Sequence, residues 1–167
     1  VWQDVRQGLR YVTAWPGLSA ILIMATFINF LLTPGFTFLP LLVTRHFEGG
    51  ALQLGWLQSG YGVGIVAGGL LLSVWGGFRR KIFTSMGGLV GMGIGVAAIG
   101  FAPPWGYLVA LGGMLFAGIM NPLVNGPLFA LIQTKVEPEM HGRVFTLIYS
   151  MASAMSPLSM MIAAPAD

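Results

Sequence analysis

Long uncharged stretches separated by short polar segments dominate the pattern along this chain. Residues 17–44, 52–75 and 82–134 contain no charged side chain. About 20 apolar residues are needed for a helix to cross the hydrocarbon of a bilayer, and each stretch is at least that long. The pattern therefore predicts membrane-spanning helices that are joined by short loops.

The longest uncharged stretch, residues 82–134, has to contain two helices. A single helix of that length would be about 80 Å long at 1.5 Å per residue, which is more than twice the hydrocarbon thickness. Pro103-Pro104, followed by Gly106, is the strong breaker near its middle. We therefore predict an all-α, polytopic membrane helix bundle with about five spans, at 17–44, 52–75, 82–102, 105–134 and 143–164.

Residues 1–16 differ from the rest because they are polar and mixed in charge. Val5, Leu9 and Val12 share one face of a helix, so this segment is predicted to be a cytoplasmic amphipathic linker in the membrane interface. An ordinary solvated linker is the alternative. The predicted domains are this linker, 1–16, and the transmembrane bundle, 17–167.

Composition favours a membrane protein over a soluble domain. Hydrophobic residues make up 56% of the 167 residues, charged residues only 8%, and the mean hydropathy is +0.81. Soluble domains need more charge to cover their surface. The net charge of +3 does not indicate a nucleic-acid partner, because the basic residues are spread over separate loops. The partner expected from composition is the lipid bilayer.

The basic residues also predict the orientation. With the N-terminal segment in the cytoplasm, the loops at 76–81 and 135–143 lie inside as well. Seven of the eight Lys and Arg residues are then inside, and only Arg45 is outside. This distribution follows the excess of positive charge that cytoplasmic loops carry.

Glycines recur four residues apart in the second and third spans. Such spacing leaves one helix face without side chains, so another helix can approach closely. The glycines are Gly60, Gly64 and Gly68 in the second span, and Gly87, Gly91 and Gly95 in the third. Prolines are expected to disturb the first span, where Pro34-Gly35 should break or kink it.

Asp, Glu, Lys, Arg and His side chains are absent from the middle of every predicted span. Such groups usually mark ion pathways or chemistry in a membrane, so we predict no catalytic residue, no metal site and no cofactor. The ten methionines occur without cysteine or a convergent histidine, which favours flexible apolar packing.

Uncharged polar residues provide the candidate site. Asn121 and Asn125 are one turn apart in the fourth span, near Pro122 and a Gly126-Pro127 break. In the first span, Asn29 and Thr33 recur at helical spacing. They could line a water-accessible substrate path. Alternatively, they could serve only to hold helices together, and each hydrogen bond would then contribute about 0.6 kcal/mol to stability. We favour the path for the Asn pair.

Two predicted inner loops have distinctive sequences. The first reads Gly-Gly-Phe-Arg-Arg-Lys at 76–81, and the second reads Pro-Glu-Met-His-Gly-Arg-Val-Phe at 138–145. With the order of the spans, they resemble the C-terminal half of a major facilitator superfamily permease, of the bacterial macrolide-efflux and siderophore-exporter type. The loop residues that match are Gly77, Arg79, Arg80, Lys81, Pro138, Gly142 and Arg143. The acidic residue of the family's first loop is absent, since Ser73, Val74 and Trp75 occupy that region.

The resemblance implies a transporter in the bacterial cytoplasmic membrane. The spans would match the seventh to eleventh of twelve helices, with Asn29, Asn121 and Asn125 at the central cavity. The N-terminal half and the final helix of the same transporter would be its partners, and the start at Val1 and stop at Asp167 suggest a piece of a longer protein. The implied activity is export of hydrophobic or amphiphilic small molecules by alternating access, coupled to protons. The alternative is a non-transporting membrane assembly subunit.

Overall fold

The structure is a computed structural model that describes residues 32–135, together with the helical residues Gly142, Thr146 and Ser150. Four helices cover most of this range, and no strand occurs within it. They are α1, whose described part covers 32–45, α2 (Ala51–Trp75), α3 (Lys81–Gly100) and α4 (Tyr107–Lys135). The all-α membrane bundle predicted from the sequence is confirmed for this part of the chain.

In the part of the chain that the structure describes, three helices are long and apolar enough to cross a membrane: Ala51–Trp75, Lys81–Gly100 and the Tyr107–Ala130 part of α4. The first would be about 37 Å long at 1.5 Å per residue, which exceeds the roughly 30 Å of hydrocarbon. Between α3 and α4 the non-helical residues 101–106 hold the Pro103-Pro104 pair that was expected to divide the long uncharged stretch. Large apolar side chains such as Val74 remain exposed, as helices that face lipid require.

Residues Leu39–Ala130 form one compact unit, and the helix contacts described below lie inside it. Near one end of the unit, apolar side chains from α1, α2, α3, α4 and the α3–α4 loop form a small core. His46 Nε2 lies 2.8 Å from the Ala102 carbonyl oxygen, and the Tyr107 hydroxyl donates to the Gln53 carbonyl at 2.7 Å. The core residues are Leu39, Val43, Leu57, Ile99, Ala102, Ala110 and Met114.

The glycines of α2 lie against α4, as their spacing predicts. A Cβ atom on Gly64 would meet the Leu115 carbonyl oxygen, and one on Gly68 would meet the carbonyl oxygen of Ile119. A Cβ on Gly60 would lie 3.1 Å from a methyl carbon of Leu111. The two backbones therefore approach to a distance that only glycine permits at the second and third positions.

On α3, Gly91 and Gly95 lie against α4, as their spacing predicts, whereas Gly87 does not face α4. No atom of the described residues lies within 4 Å of a Cβ placed on Gly87, whereas a Cβ on Gly88 would lie 3.0 Å from Leu123 Cβ on α4. A helix has 3.6 residues per turn, so a strict four-residue repeat drifts by about 40° at each step. Steps of three and four residues, from 88 to 91 to 95, stay closer to one face.

The prolines do not break their helices. Residues 32–45 are helical through Pro34-Gly35, and α4 continues through Pro122 and the Gly126-Pro127 pair. The breaks that the sequence suggested at Pro34-Gly35 and Gly126-Pro127 are therefore absent. Membrane helices tolerate proline because neighbouring groups satisfy the freed backbone.

Candidate functional site

Three polar side chains meet between α2 and α4. The Asn121 Nδ2 group donates to the Tyr61 hydroxyl at 3.1 Å. Asn125 Nδ2 lies 3.2 Å from the Asn121 carbonyl oxygen and 3.3 Å from its Oδ1. All three residues are partly buried. We call Tyr61, Asn121 and Asn125 the amide cluster.

The glycine contacts fix where this cluster lies. Tyr61 follows Gly60 on the α2 face that packs on α4, and a Cβ on Gly118 would meet the Tyr61 carbonyl oxygen. Asn121 lies three residues after Gly118, which is nearly one turn along α4. Because the two backbones are in contact at Gly118, the Tyr61 ring and the Asn121 amide are held within hydrogen-bond reach.

The prolines of α4 remove two backbone donors near the Asn pair. Proline has no N–H, so Pro122 and Pro127 cannot donate to the carbonyl groups of Gly118 and Leu123, their partners one turn earlier. A neighbouring carbonyl, that of Val124, accepts a hydrogen bond from buried Ser85 on α3 at 3.1 Å. This part of α4 thus presents more polar backbone than an ordinary membrane helix.

Asn125 has hydrogen-bonding capacity left over. Its Nδ2 group is used within α4, while its Oδ1 accepts no hydrogen bond from the residues that the structure describes. An amide oxygen offers two lone pairs, so a ligand hydroxyl or amine could donate to it. The cluster can bind polar groups by hydrogen bonds, and it contains no carboxylate, imidazole or amine.

Of the two predicted residues of the first span, the structure describes only Thr33. Thr33 is partly buried, and its carbonyl accepts a hydrogen bond from the Thr37 hydroxyl at 2.9 Å. Asn29 lies outside the described residues. The structure thus brings together Asn121 and Asn125, and their grouping with Asn29 and Thr33 stays a prediction.

The structure describes some of the residues of the two predicted inner loops. Gly77 has a left-handed φ of 75°, and the three basic residues after Phe78 are exposed. Gly142 is helical and exposed. Pro138 and Arg143 lie outside the described residues.

Sequence reasoning missed Tyr61. Its signal was available, because it is a hydroxyl-bearing side chain adjacent to the first glycine of the α2 repeat and so lies near the predicted contact face. What the pattern could not supply was the partner helix, since nothing in α2 alone indicates that Asn121 lies opposite.

Comparison with known protein families gives one match over nearly the whole chain. The family model of the Major Facilitator Superfamily matches residues 1–160. No solved structure matches the chain.

Curated relatives match over a similar extent. Macrolide efflux protein A of Streptococcus pyogenes is 27% identical over 162 residues, which are 97% of this chain and 40% of that protein. Macrolide efflux protein A of Enterococcus faecalis is 27% identical, with 95% of this chain and 49% of the relative covered. Multidrug efflux pump Tap of Mycolicibacterium fortuitum is 26% identical, with 99% and 40% covered. The chain therefore spans less than half the length of these relatives.

Proposed function

We propose that this chain, which belongs to the major facilitator superfamily, forms part of a secondary active transporter that exports hydrophobic or amphiphilic small molecules. The family and its three apolar helices identify a multi-pass membrane protein of a transporter family rather than an enzyme family. The relatives are named as macrolide and multidrug efflux proteins, which supports macrolide-like compounds as substrates.

The amide cluster is the observation that carries this proposal. It places hydrogen-bonding groups without charge between two otherwise apolar helices. Binding sites for drug-sized molecules are mostly apolar, with a few polar groups that set orientation. A largely apolar substrate with scattered hydroxyl and carbonyl groups suits such a surface better than an ionic substrate would.

Alternating access requires a second bundle against which this one can move. We propose that the rest of the full-length protein supplies it, as an N-terminal half and a final helix, because this chain spans only 40% to 49% of its relatives. No predicted span here carries Asp, Glu, Lys, Arg or His at its centre. The proton coupling that we propose therefore needs an ionisable group in that other part.

We place the protein in the bacterial cytoplasmic membrane, with loop 76–81 on the cytoplasmic side. The relatives are bacterial proteins, and the distribution of Lys and Arg supports the orientation. In this arrangement residues 46–50 and 101–106 face outward.

A non-transporting assembly subunit is the second candidate function. The hydrogen bond from Asn121 to Tyr61 favours it, because that bond joins two helices and needs no substrate. Under this alternative, the cluster would serve only stability.

Two alanine variants of the full-length protein separate the candidates. We expect Asn121→Ala and Asn125→Ala to reduce macrolide export per molecule about three- to tenfold, the equivalent of one lost hydrogen bond, with a nearly unchanged melting temperature. The matched control is Ser85→Ala, which removes a bond between α3 and α4 outside the cluster. It should lower the melting temperature and leave export per folded molecule unchanged. Parallel losses of export and stability in both Asn variants would support the assembly subunit.

A further inference from the structure

A run of three basic residues lies in the turn between α2 and α3. α2 ends at a left-handed Gly76, whose N–H donates to the Leu72 carbonyl at 2.8 Å, and Gly77 is left-handed as well. Arg79, Arg80 and Lys81 follow and are all exposed. The two glycines turn the chain sharply, so the basic residues come together at the start of α3.

The turn is fixed by a buried side chain. Thr84 is only 2% exposed, and its Oγ1 accepts a hydrogen bond from the Phe78 N–H at 2.9 Å. The Phe83 N–H donates to the Arg80 carbonyl at 3.0 Å. The basic run is therefore held in a defined turn, and its side chains project from an ordered backbone.

No carboxylate within residues 32–135 lies near this run. Glu48 is the one acidic residue in that range, and it precedes α2, whereas the basic run follows α2. A helix of this length separates them by about 37 Å. The charge of the run is thus unmatched by this part of the chain, in line with the missing acidic residue at 73–75.

Exposed aromatic and apolar side chains surround the run on both helices. The rings of Trp75 and Phe78 pack edge to face, with centroids 4.7 Å apart. Ile82 and Phe83 are also more than half exposed. Aromatic rings favour the head-group region of a bilayer, so this belt would place the basic run at the level of the lipid phosphates.

We propose that loop 76–81 binds the anionic phospholipid head groups of the leaflet that it faces. Arg79 and Arg80 provide planar guanidinium groups that can donate two parallel hydrogen bonds to a phosphate, and Lys81 adds a further positive charge. Each basic residue near an anionic surface strengthens association about fivefold. The neighbouring aromatic rings keep these groups at the interface while the apolar faces of α2 and α3 contact the lipid chains.

Tryptophan quenching by brominated lipids tests this contact in the full-length protein, in vesicles. One variant keeps Trp75 and has every other tryptophan replaced by phenylalanine, while the matched control keeps only Trp105, at the opposite end of α3. Quenching of Trp75 should show a preference of about fivefold or more for brominated phosphatidylglycerol over brominated phosphatidylcholine. Trp105 should show a preference near one.

Neutralising the run should abolish the effect. In the Trp75 protein, the triple change Arg79→Gln, Arg80→Gln and Lys81→Gln should reduce the preference to about one, whereas Arg45→Gln should leave it unchanged. If the triple variant does not fold, raising the salt concentration with the basic run intact provides the second test, because a head-group contact at the surface is screened. A preference that persists at high salt and in the neutralised variant would overturn the proposal.

The acidic residues Glu137 and Glu139, on the same predicted side of the membrane, lie outside the described residues and provide a competing partner. If they neutralise the basic run, the Trp75 protein should show no lipid preference and should gain one after Glu137→Gln and Glu139→Gln. That result would also overturn the proposal. The assay needs no transport, so its outcome is independent of whether the protein exports macrolides.

Discussion

Helix α4 makes two contacts that are both lined with glycine, but the glycines meet different kinds of atoms. Against α2, Gly64 and Gly68 face the backbone carbonyl oxygens of Leu115 and Ile119. Against α3, Gly91 faces the side chain of Met120, although a Cβ on Gly95 would again meet backbone, 2.8 Å from the Gly113 carbonyl oxygen. The α2–α4 contact is thus backbone against backbone at its centre, whereas the α3–α4 contact has a flexible side chain there.

This difference matters for the amide cluster. Backbone cannot move aside without separating the helices, whereas methionine has three rotatable bonds and fills irregular gaps. The hydrogen bond from Asn121 to Tyr61 lies across the contact that cannot adapt. We therefore expect α2 and α4 to keep the cluster in one geometry, while the α3–α4 contact can adjust at Gly91, where it meets the Met120 side chain.

We expect the largest loss of stability when a methyl group is added at the α2–α4 contact, where backbone meets backbone. Gly68→Ala would place Cβ against the Ile119 carbonyl group, so the helices would have to separate. We expect a loss of about 2 kcal/mol in the free energy of unfolding, within the usual cost of overpacking. Reversible unfolding of the purified protein in mixed micelles measures it.

Gly69→Ala is the matched control for this change, since a Cβ there has no atom of residues 32–135 within 4 Å. It adds the same methyl group to the same helix, one residue further on. Equal losses in the two variants would show that the helix backbones are not in contact at Gly68.

A smaller effect is expected at the adaptable contact. In Gly91→Ala the new Cβ would lie 2.6 Å from Met120 Sδ, and that side chain can rotate away. The loss should stay below about 1 kcal/mol, measured in the same unfolding experiment, with Gly93→Ala as the unhindered control. A loss as large as that of Gly68→Ala would remove the distinction between the two contacts.

The smallest effect should come from the polar bond itself. Tyr61→Phe removes the hydroxyl that accepts the Asn121 hydrogen bond and leaves the ring in place. We expect a coupling energy of about 0.6 kcal/mol between Tyr61→Phe and Asn121→Ala in a double-mutant cycle. A coupling of zero would mean that the bond contributes nothing across the rigid contact.

Much of the fold could be predicted from the sequence because a bilayer imposes strict requirements. Lipid provides no hydrogen-bonding partners, so a spanning segment has to be apolar and helical, and its length is set by the hydrocarbon thickness. These requirements are local, and they were sufficient to predict helices where α2, α3 and α4 occur. The Gly60, Gly64 and Gly68 repeat likewise indicated a face for close packing.

The remaining errors arise where the answer depends on a second helix. Gly87 and Gly88 are neighbours, and only the position of α4 determines which of them faces that helix. Tyr61 became part of the candidate site through Asn121, which is 60 positions away in the chain. The Gly126-Pro127 pair looked like a break, but a membrane helix continues through proline when its surroundings satisfy the backbone.

The central claim is that the amide cluster lines a substrate path, and cysteine accessibility at Asn125 tests it most directly. The chain has no cysteine of its own, so Asn125→Cys introduces a unique thiol in this part of the protein. The control is Val124→Cys, at an adjacent site that is only 2% exposed. In a full-length protein without other cysteines, position 125 should react with a water-soluble thiol reagent, and saturating macrolide should slow that reaction about tenfold. Position 124 should react slowly with or without macrolide. A thiol at position 125 that is unreactive, or that reacts at the same rate when macrolide is bound, would contradict the account.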